Sequence, residues 1–399
     1  MTPATAEQDQ QTPAALAVDP QRYDTGSRIE RIDVVPVTVP RKGTFDLQRG
    51  ASATASDFAV VRLQTHDGVV GWGECTTRVR SMHHILRDHL AEVVVGRSVF
   101  DVVGAHRAMD VAELLATERL SHWNPIRSAI DMAMYDAQGH TTGVPLHSLL
   151  GGKQRDEVET VKNVGVASPE VSAERARQLV DAGYRIVKLR VGSDADLDEA
   201  RVAAVRAAVG DGIRIRVDAN QAWDPTSAIS AIRRMHGYRL HAVEQPCPFW
   251  DIAGNAEVVA NVEPPVISDE GIWTVPETQN LLRARGADVL HPYLGKCGGI
   301  HPTMQIIAVA QAFNAKVSPG ERVPLGIGEA AHVHVAAVLR DLEHPCALSY
   351  DLNEHDLLTE SLPRTGGRIR VPDGPGLGIT VDEDRLAHYN REEGPLPWA

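Results

Sequence analysis

Three acidic residues follow short apolar runs at almost equal intervals: Asp218 in IRIRVDAN, Glu244 in LHAVEQP and Asp269 in PPVISDEG. The intervals are 26 and 25 residues, about the length of one strand, one helix and two loops. The spacing therefore predicts successive strands of a parallel α/β barrel, each with a carboxylate at its C-terminal end. Carboxylates brought together there repel one another unless they are protonated or neutralised by a cation.

Oxygen ligands of this kind favour Mg²⁺, with Mn²⁺ as the alternative, over Zn²⁺. Each acid could instead cap a helix or form a salt bridge, which is the common role of a single Asp after a strand. Capping does not require the same position three times, so the repetition favours a metal site. We therefore predict that Asp218, Glu244 and Asp269 bind one divalent cation.

The composition is typical of a globular enzyme, with 399 residues, of which 43% are hydrophobic and 23% are charged. That length fits a barrel of roughly 200 to 250 residues plus a second module. A formal charge of −13, with no long basic run, argues against a nucleic-acid partner. The cysteines show no CxxC pair or zinc spacing, which predicts buried or free thiols and a cytoplasmic location.

Residues 1–27 are rich in Ala, Gln, Pro, Thr and Asp, and they predict a disordered tail with no signal peptide or membrane span. Residues 28–152 predict an α+β domain. IERIDVVPVTVP alternates as a strand does, the next apolar runs predict a hairpin turning at Asp67-Gly68, and helical patterns extend from about Met82 to Leu149.

Strand and helix patterns alternate over residues 153–360, beginning with VETVKNVGV near Val158 and continuing with RIVKLRVG as a second strand. Such alternation predicts a parallel α/β architecture with right-handed crossovers. Residues 361–399 return to extended, turn-rich sequence. We expect this C-terminal segment to leave the barrel and pack on the N-terminal domain.

The ordered motifs VKLRVG, VDAN, VEQP and SDEG resemble the mandelate racemase and muconate lactonizing enzyme branch of the enolase superfamily. GWGE at Gly71 to Glu74, KCGGI at Lys296 to Ile300 and VPDGPGLG at Val371 to Gly378 add to the resemblance, which covers about residues 29 to 388. It implies a TIM-like (β/α)7β barrel with an N-terminal α+β capping domain that the C-terminal tail completes. It also implies a small carboxylate substrate, no membrane partner and assembly into homo-oligomers.

The chemistry that the resemblance implies is a shared first step, for which this superfamily is itself the known example: Mg²⁺ and a Lys or His base form an enediolate from a carboxylate. The base removes the proton on the carbon next to the carboxylate. Asp218, Glu244 and Asp269 are then the implied metal ligands. Asn220 and Glu270 fit an orienting role around them, and Asn220 is also a candidate substrate contact.

The residues expected to act as the base depart from the family pattern. Many members carry Lys-x-Lys on the second strand, whereas this chain has Lys188 and Arg190, which share the barrel-facing side. Because arginine stays protonated, Arg190 suits a carboxylate clamp. Lys188 is the predicted base, with its pKa lowered by Arg190. Alternatively, both side chains only neutralise the acids of the site.

The opposite face of the expected site also departs from the pattern. Sugar-acid dehydratases of this branch pair an Asp on the sixth strand with a His on the seventh, but here Tyr293 occupies the Asp position and SPGERVPLG contains no His. Tyr293, His291 and Glu321 are therefore candidates for a second acid or base. Lys296 lies three residues beyond the catalytic position, which predicts a structural, solvated lysine.

Residues 41–56, RKGTFDLQRGASATAS, occupy the position of a loop that closes over the barrel mouth in this family. Their Gly, Ser and Thr content predicts a mobile lid. Arg41, Lys42 and Arg49 are the candidates to contact a polar substrate. The alternative is an ordinary solvated loop.

Together these features predict a Mg²⁺-dependent lyase that dehydrates a hydroxy acid or sugar acid. Elimination can proceed with one base and one acid on a single face, which matches the unequal faces of the expected site. A racemase, epimerase or cycloisomerase is the first alternative, and it requires a competent group opposite Lys188. A metal-binding homologue without catalysis is the second alternative, since fold and ligands do not by themselves prove activity.

Overall fold

The computed structural model describes residues 27–46, 52–77, 79–321 and 323–399. Of the predicted N-terminal tail, residues 1–26 lie outside this range. The remainder contains an antiparallel sheet with helices on it, a parallel barrel and a C-terminal segment. No helix in the described ranges has both the length and the apolar character that spanning a bilayer requires.

The N-terminal sheet is an antiparallel meander in the order β1-β2-β3. Its strands are β1 (Ile29–Asp46), β2 (Ser52–Thr65) and β3 (Val70–Thr76). The predicted hairpin between β2 and β3 is confirmed, and Gly68 in its turn has a φ of 83°, which a glycine adopts without strain.

The predicted loop over residues 41–56 is strand in its described part, while its role as a lid remains a prediction. Residues up to Asp46 continue β1, and Ser52 already begins β2, so these segments pair as a hairpin extension. The physical reason is that strand pairing satisfies backbone groups that a mobile loop would leave to water. Arg49 lies outside the described residues.

Helices cover one face of this sheet. They are α1 (Met82–Ile85), α2 (Glu92–Val94), α3 (Val102–Thr117), α4 (Asn124–Thr142) and α5 (Leu146–Leu149), with a π-helical turn between α1 and α2. Helix α4 packs so closely on β3 that a Cβ atom at Gly71 or Gly73 would overlap the α4 backbone. This packing explains the two glycines of the GWGE motif.

Strands and helices then alternate over residues 157–348, which form the barrel from β5 onward. In chain order they are β4 (Glu157–Glu159), β5 (Lys162–Gly165), α6 (Pro169–Asp181), β6 (Ile186–Arg190), α7 (Ala195–Val209), β7 (Arg214–Asp218), α8 (Pro225–Arg234), β8 (Ala242–Glu244), α9 (Ile252–Asn261), β9 (Val266–Ser268), α10 (Val275–Arg283), β10 (Val289–Leu290), α11 (Leu294–Cys297), α12 (Ile300–Ala312), β11 (Lys316–Val317), β12 (Gly320–Glu321), α13 (Gly326–Val338) and β13 (Ala347–Leu348).

The parallel sheet runs from β5 to β11 in sequence order, and β12 pairs in parallel with β13. A parallel bridge between Thr160 and Cys346 joins the last strand to the first and closes the barrel. The expected (β/α)7β barrel with an N-terminal antiparallel domain is therefore confirmed. The predicted first strand is split, because β4 pairs outside the barrel and only β5 continues within it.

The C-terminal segment contacts both units. Its elements are β14 (Arg364–Thr365), β15 (Arg368–Arg370) and α14 (Glu383–Tyr389). Strand β15 pairs with β4 at the start of the barrel. Farther along, Asn390 bridges to Val37 of β1, and the ring of Trp398 lies 5.7 Å from that of Trp72. The tail therefore reaches the N-terminal domain as expected, although the exact domain boundaries remain a prediction.

Two buried aspartates of α4 fasten the barrel and the tail to the N-terminal domain. Asp131 accepts the backbone N–H groups of Ile300 and His301, so it caps α12. Asp136 accepts hydrogen bonds from the backbone N–H groups of Trp72, at 2.8 Å, and of Leu377, at 2.7 Å. The largest apolar cluster also includes buried residues of both units, so the barrel and the N-terminal domain share one hydrophobic core.

All four cysteines are buried free thiols, as the sequence predicted.

Candidate active site

The strand register places the predicted acids side by side. Asp218 at the end of β7 is the direct partner of Glu244 at the end of β8, and Arg190 of β6 is the partner of Asp218. Asp269 follows β9 immediately. Because partners in parallel strands project to the same side of a sheet, these side chains share the C-terminal mouth of the barrel.

Lys188 connects two of these carboxylates. Its Nζ lies 2.8 Å from Oδ2 of Asp218 and 2.7 Å from Oε1 of Glu244. Nη1 of Arg190 lies 2.6 Å from the same Asp218 oxygen. The prediction that positions 188 and 190 face the barrel interior together is therefore confirmed.

Arg190 lowers the pKa of Lys188 as predicted, but the expected net lowering is wrong for the protein without a cation. Burial lowers the pKa of Lys188 and Arg190 lowers it further, but the charges of Asp218 and Glu244 outweigh both, so the pKa is raised. Burial raises the pKa of Glu244, yet Lys188, His291 and Arg216 together lower it to about 2. The cluster is therefore a network of paired charges.

Two of the three predicted ligands, together with His291, form a donor set for a divalent cation, and Asp218 lies outside this group. Ligand atoms of Glu244, Asp269 and His291 all lie within 4.8 Å of one another. Oε2 of Glu244 is buried and, among the described residues, receives no hydrogen bond. The guanidinium group of Arg216 lies 3.6 Å from this oxygen and compensates part of its charge, and carboxylate oxygens suit Mg²⁺.

Asn220 contacts both Asp218 and Glu270, and the orienting role of Asn220 and Glu270 remains a prediction. The backbone N–H of Asn220 donates to Oδ1 of Asp218 at 2.8 Å, and its Nδ2 donates to Oε1 of Glu270 at 2.6 Å. Burial, with Asp269 and Asp218 nearby, raises the pKa of Glu270 to about 8. Asn220 is therefore hydrogen-bonded both to Asp218, a predicted ligand, and to Glu270, whose charged form is disfavoured.

Lys296 corrects the sequence interpretation. It is not solvated: its side chain is 0% exposed, and its Nζ lies 2.7 Å from Oδ1 of Asp269. It also donates to the carbonyl oxygens of Asp269 and His291, and it lies 4.4 Å from the ring centre of Tyr293. Helix α11 turns this side chain back into the barrel, where fixed acceptors hold its ammonium group. A structural role remains consistent with these contacts, but in the interior of the site.

The other acid or base candidates gather around the end of β10. His291 is buried and Nδ1 of its ring contacts the carbonyl of Ser318. Its ring centre lies 6.1 Å from that of Tyr293, which is 6% exposed. Oε2 of Glu321 accepts from the N–H of Gly295 at 3.3 Å. The structure thus brings all three candidates to the side of the cluster opposite β6.

The substrate-binding candidates of the N-terminal domain are less clearly placed. Nε of Arg41 donates to Oγ of Ser56 at 2.7 Å, within the hairpin. Arg41 also forms a bridge with Asn353, so it reaches the segment after the last barrel strand. Lys42 is exposed.

Sequence reasoning missed Arg216, which lies fully buried inside the barrel. Its Nη2 donates to Oγ of Ser318 at 2.9 Å and to the carbonyl of Pro345, and its Nη1 lies 3.6 Å from Oε2 of Glu244. The available signal was the two-residue alternation in IRIRVDAN, which places Arg216 on the same side as Asp218. It also missed Asn124 of α4, whose side chain donates to the carbonyls of Trp273 and Lys296.

Comparison with known proteins finds two family models that match this chain. Residues 29–151 match the mandelate racemase / muconate lactonizing enzyme N-terminal domain, and residues 171–385 match the enolase C-terminal domain-like family. The chain is 32% identical over 372 residues to the L-Ala-D/L-Glu epimerase of Bacillus subtilis, covering 88% of this chain and 96% of the relative.

Two further similarities are informative. The probable glucarate dehydratase of Streptomyces coelicolor is 29% identical over 405 residues, with 91% of each chain covered. A dipeptide epimerase from Enterococcus faecalis, crystallised with Mg and the dipeptide L-Leu-L-Tyr, superimposes with a TM-score of 0.82 at 28% identity, covering 88% of this chain and 99% of that one. The barrel, the acidic cluster at its mouth and these matches lead to one conclusion: the chain belongs to the mandelate racemase / muconate lactonizing enzyme branch of the enolase superfamily.

Proposed function

We propose that this protein removes the proton on the carbon next to a substrate carboxylate with the help of Mg²⁺, and that loss of water from a hydroxy acid follows. Asp218, Glu244 and Asp269 would hold the cation. When bound, Mg²⁺ supplies stabilisation of the negative charge that develops on the substrate carboxylate as the proton leaves. The observation that carries the proposal is the difference between the two lysines of the site.

Lys188 serves as the base in this proposal. Two contacts, to Asp218 and Glu244, position its Nζ at the barrel mouth, and its side chain is 12% exposed. A metal cation bound to these carboxylates would weaken their attraction for the ammonium group of Lys188, because the metal and the ammonium group compete for the same oxygens. Arg190 stays protonated and binds or stabilises the substrate carboxylate.

Lys296 does not provide an equivalent base on the other side. Its ammonium group has three N–H donors, and it contacts the carboxylate of Asp269 and the carbonyls of Asp269 and His291. Proton transfer on that face falls to Tyr293, His291 or Glu321 as the acid that protonates the leaving hydroxyl. One base and one acid of different chemical type suit elimination better than reversible transfer between two equivalent faces.

Epimerisation is the second candidate. It is favoured by the similarity to the Bacillus subtilis and Enterococcus faecalis epimerases. In that case the acid on the Tyr293 side returns a proton to the same carbon instead of protonating a leaving group. The substrate would then be a small carboxylate, such as a dipeptide, that lacks a leaving group next to that carbon. Self-association of the chain stays a prediction in either case.

Proton NMR in D₂O distinguishes these reactions. Hydroxy acids, sugar acids and dipeptides are incubated with the protein and Mg²⁺, and in parallel with EDTA. Loss of the α-proton signal together with a dehydrated product supports dehydration, whereas exchange without elimination supports epimerisation. Lys188→Ala should lose the exchange, and Lys316→Ala, which changes an exposed lysine elsewhere on the barrel, should retain it. No exchange with any carboxylate in the presence of Mg²⁺ would contradict the proposed function.

A further inference from the structure

A cleft of about 300 Å³ lies between the N-terminal domain and the barrel, outside the carboxylate cluster. Helices α3 and α4 line one side of it. The segment before α10 and the beginning of α12 line the other side. A cavity of this volume is at the lower end of the range for small-molecule sites, which suits a ligand with a single ring or a short chain.

Basic side chains outnumber acidic ones around the cleft, although the protein as a whole is acidic. The chain has a formal charge of −13, but the cleft is lined by Arg107, Arg127, His106 and His301, with Asp110 as the acidic side chain. The charge of Arg127 is already matched by Asp110, at 2.6 Å. Glu113 also lies 3.0 Å from Arg127, and burial lowers the pKa of His301, which favours its neutral form. Among the described lining residues, the affinity for anions therefore rests on Arg107.

Arg107 is the cation available to a ligand. It is exposed, and within the described part of the chain it makes no hydrogen bond or ion pair. His106 differs, since its Nε2 contacts Asp131 at 2.8 Å. A guanidinium group presents a planar set of donors that matches a carboxylate. Arg107 therefore defines the polar end of the cleft.

The rest of the lining includes apolar side chains that face water. Val103 is 52% exposed and Leu120 is 39% exposed, and Trp273 and Pro302 complete this apolar wall. Apolar surface of this kind gains free energy when a ligand covers it. A fitting ligand combines an anionic end for Arg107 with an apolar body for this wall.

We propose that this cleft is a binding site for a small organic carboxylate with an apolar body, separate from the metal-binding cluster. Asn124 forms part of its floor and donates to the carbonyls of Trp273 at 3.2 Å and Lys296 at 3.0 Å. Lys296 in turn contacts Asp269. The cleft therefore shares a wall with the active site without including any of the predicted metal ligands. This inference does not depend on which reaction the active site performs.

Isothermal titration calorimetry with benzoate tests the proposal. The full-length protein is titrated in the presence of EDTA, so that a bound cation cannot attract the probe to the active site. Arg107→Ala should weaken benzoate binding by about tenfold or more, because a charge-assisted pair is lost. Arg119→Ala, at an exposed arginine outside the lining, should leave the affinity unchanged. Val103→Trp should abolish binding by filling the cleft from an exposed position.

The competing outcomes are distinguishable. Absence of saturable benzoate binding to the wild type up to about 10 mM, a range that includes weak ligands, would overturn the proposal. Equal affinities for the wild type and Arg107→Ala would also overturn it, since the probe would then bind elsewhere. Inorganic phosphate binding as tightly as benzoate would show that the apolar wall contributes nothing, which contradicts the proposed ligand class. Circular dichroism melting of each variant checks that it is folded.

Discussion

Nζ of Lys296 lies 2.7 Å from Oδ1 of Asp269, and the Lys296 side chain is completely buried. This ion pair links the end of β9 to helix α11, across the mouth of the barrel. A buried charge that loses its partner is expensive, because water does not replace the interaction in the protein interior. The pair therefore affects both the stability of the barrel and the binding of a cation by Asp269.

Lys296→Met should destabilise the cation-free protein by about 3 to 5 kcal/mol, the usual cost of breaking a buried pair from one side. Mg²⁺ should recover part of this loss, because a cation bound to Asp269 replaces the missing charge. The measurement is urea unfolding in EDTA and in Mg²⁺. Lys316→Met, which breaks an exposed pair with Glu343, should change stability by less than about 1 kcal/mol. An equal effect of both variants would contradict the structural importance of the buried pair.

Lys188→Ala should lower kcat by about 10² to 10⁴-fold, the usual contribution of a general base. Mg²⁺ should bind this variant at least as tightly as it binds the wild type, because the ammonium group that competes for Asp218 and Glu244 is gone. Steady-state kinetics and calorimetry measure the two effects separately. Unchanged turnover would rule out Lys188 as the base, whereas weakened Mg²⁺ binding would show that Lys188 positions the ligands instead.

Asp269→Asn should weaken Mg²⁺ binding by at least about tenfold, because affinity for hard cations depends on the charge of their oxygen ligands. Calorimetric titration of the cation-free protein with MgCl₂ provides the measurement. Glu257→Gln, on the exposed side of α9, is the matched control and should bind Mg²⁺ normally. Removing the metal with EDTA should stop turnover, and adding Mg²⁺ back should restore it. Tight Mg²⁺ binding by Asp269→Asn would exclude Asp269 as a ligand.

The buried carboxyl group of Glu329 should make the stability of the folded protein depend on pH. Burial raises the pKa of this α13 carboxyl to about 7 from 4.5, although Arg364 at 2.6 Å lowers it. Because the folded-state pKa is raised, the protonated carboxyl stabilises the fold below pH 4.5, and this contribution is lost as the pH rises through about 7. Relative to Glu329→Gln, the wild type should lose up to about 3 kcal/mol across that window.

Urea unfolding at several pH values between 4 and 8 compares the two proteins. The quantity compared is the difference in the free energy of unfolding between the wild type and Glu329→Gln at each pH. Other groups titrate equally in both proteins and cancel from this difference. Glu360→Gln, at an exposed position, should follow the wild type throughout. A difference that stays constant with pH would contradict the shifted pKa of Glu329.

Local periodicity explains why the strand residues of the site were predictable. Side chains alternate along a strand, so Lys188 and Arg190 had to share one face, and Asp218 had to end its strand in register with Glu244. The repeat of strand and helix also predicted the barrel, because each repeat depends on residues close together in the chain. These properties require no knowledge of distant contacts.

Residues outside the regular strands were predicted less well. Lys296 lies in a helix of four residues after β10, and its direction depends on Gly298 and on the packing of α4 against the following segment. Arg216 was in the predicted alternation, but its partners Ser318 and Pro345 come from the other end of the barrel sequence. The loop conformation of residues 41–46 and 52–56 was predicted wrongly, because Gly, Ser and Thr are compatible with both a loop and a paired strand.

The sequence alone therefore determined the family, the order of strands and helices, and the carboxylates that end three successive strands. Those features depend on periodicity and on motifs confined to short stretches of chain. Only the tertiary structure decided that Lys188 joins Asp218 to Glu244, that Lys296 enters the site, and that a cleft lined by Arg107 lies beside α3. These contacts bring together residues that are far apart in the chain, and packing of the whole fold, rather than any local preference, determines which of them meet.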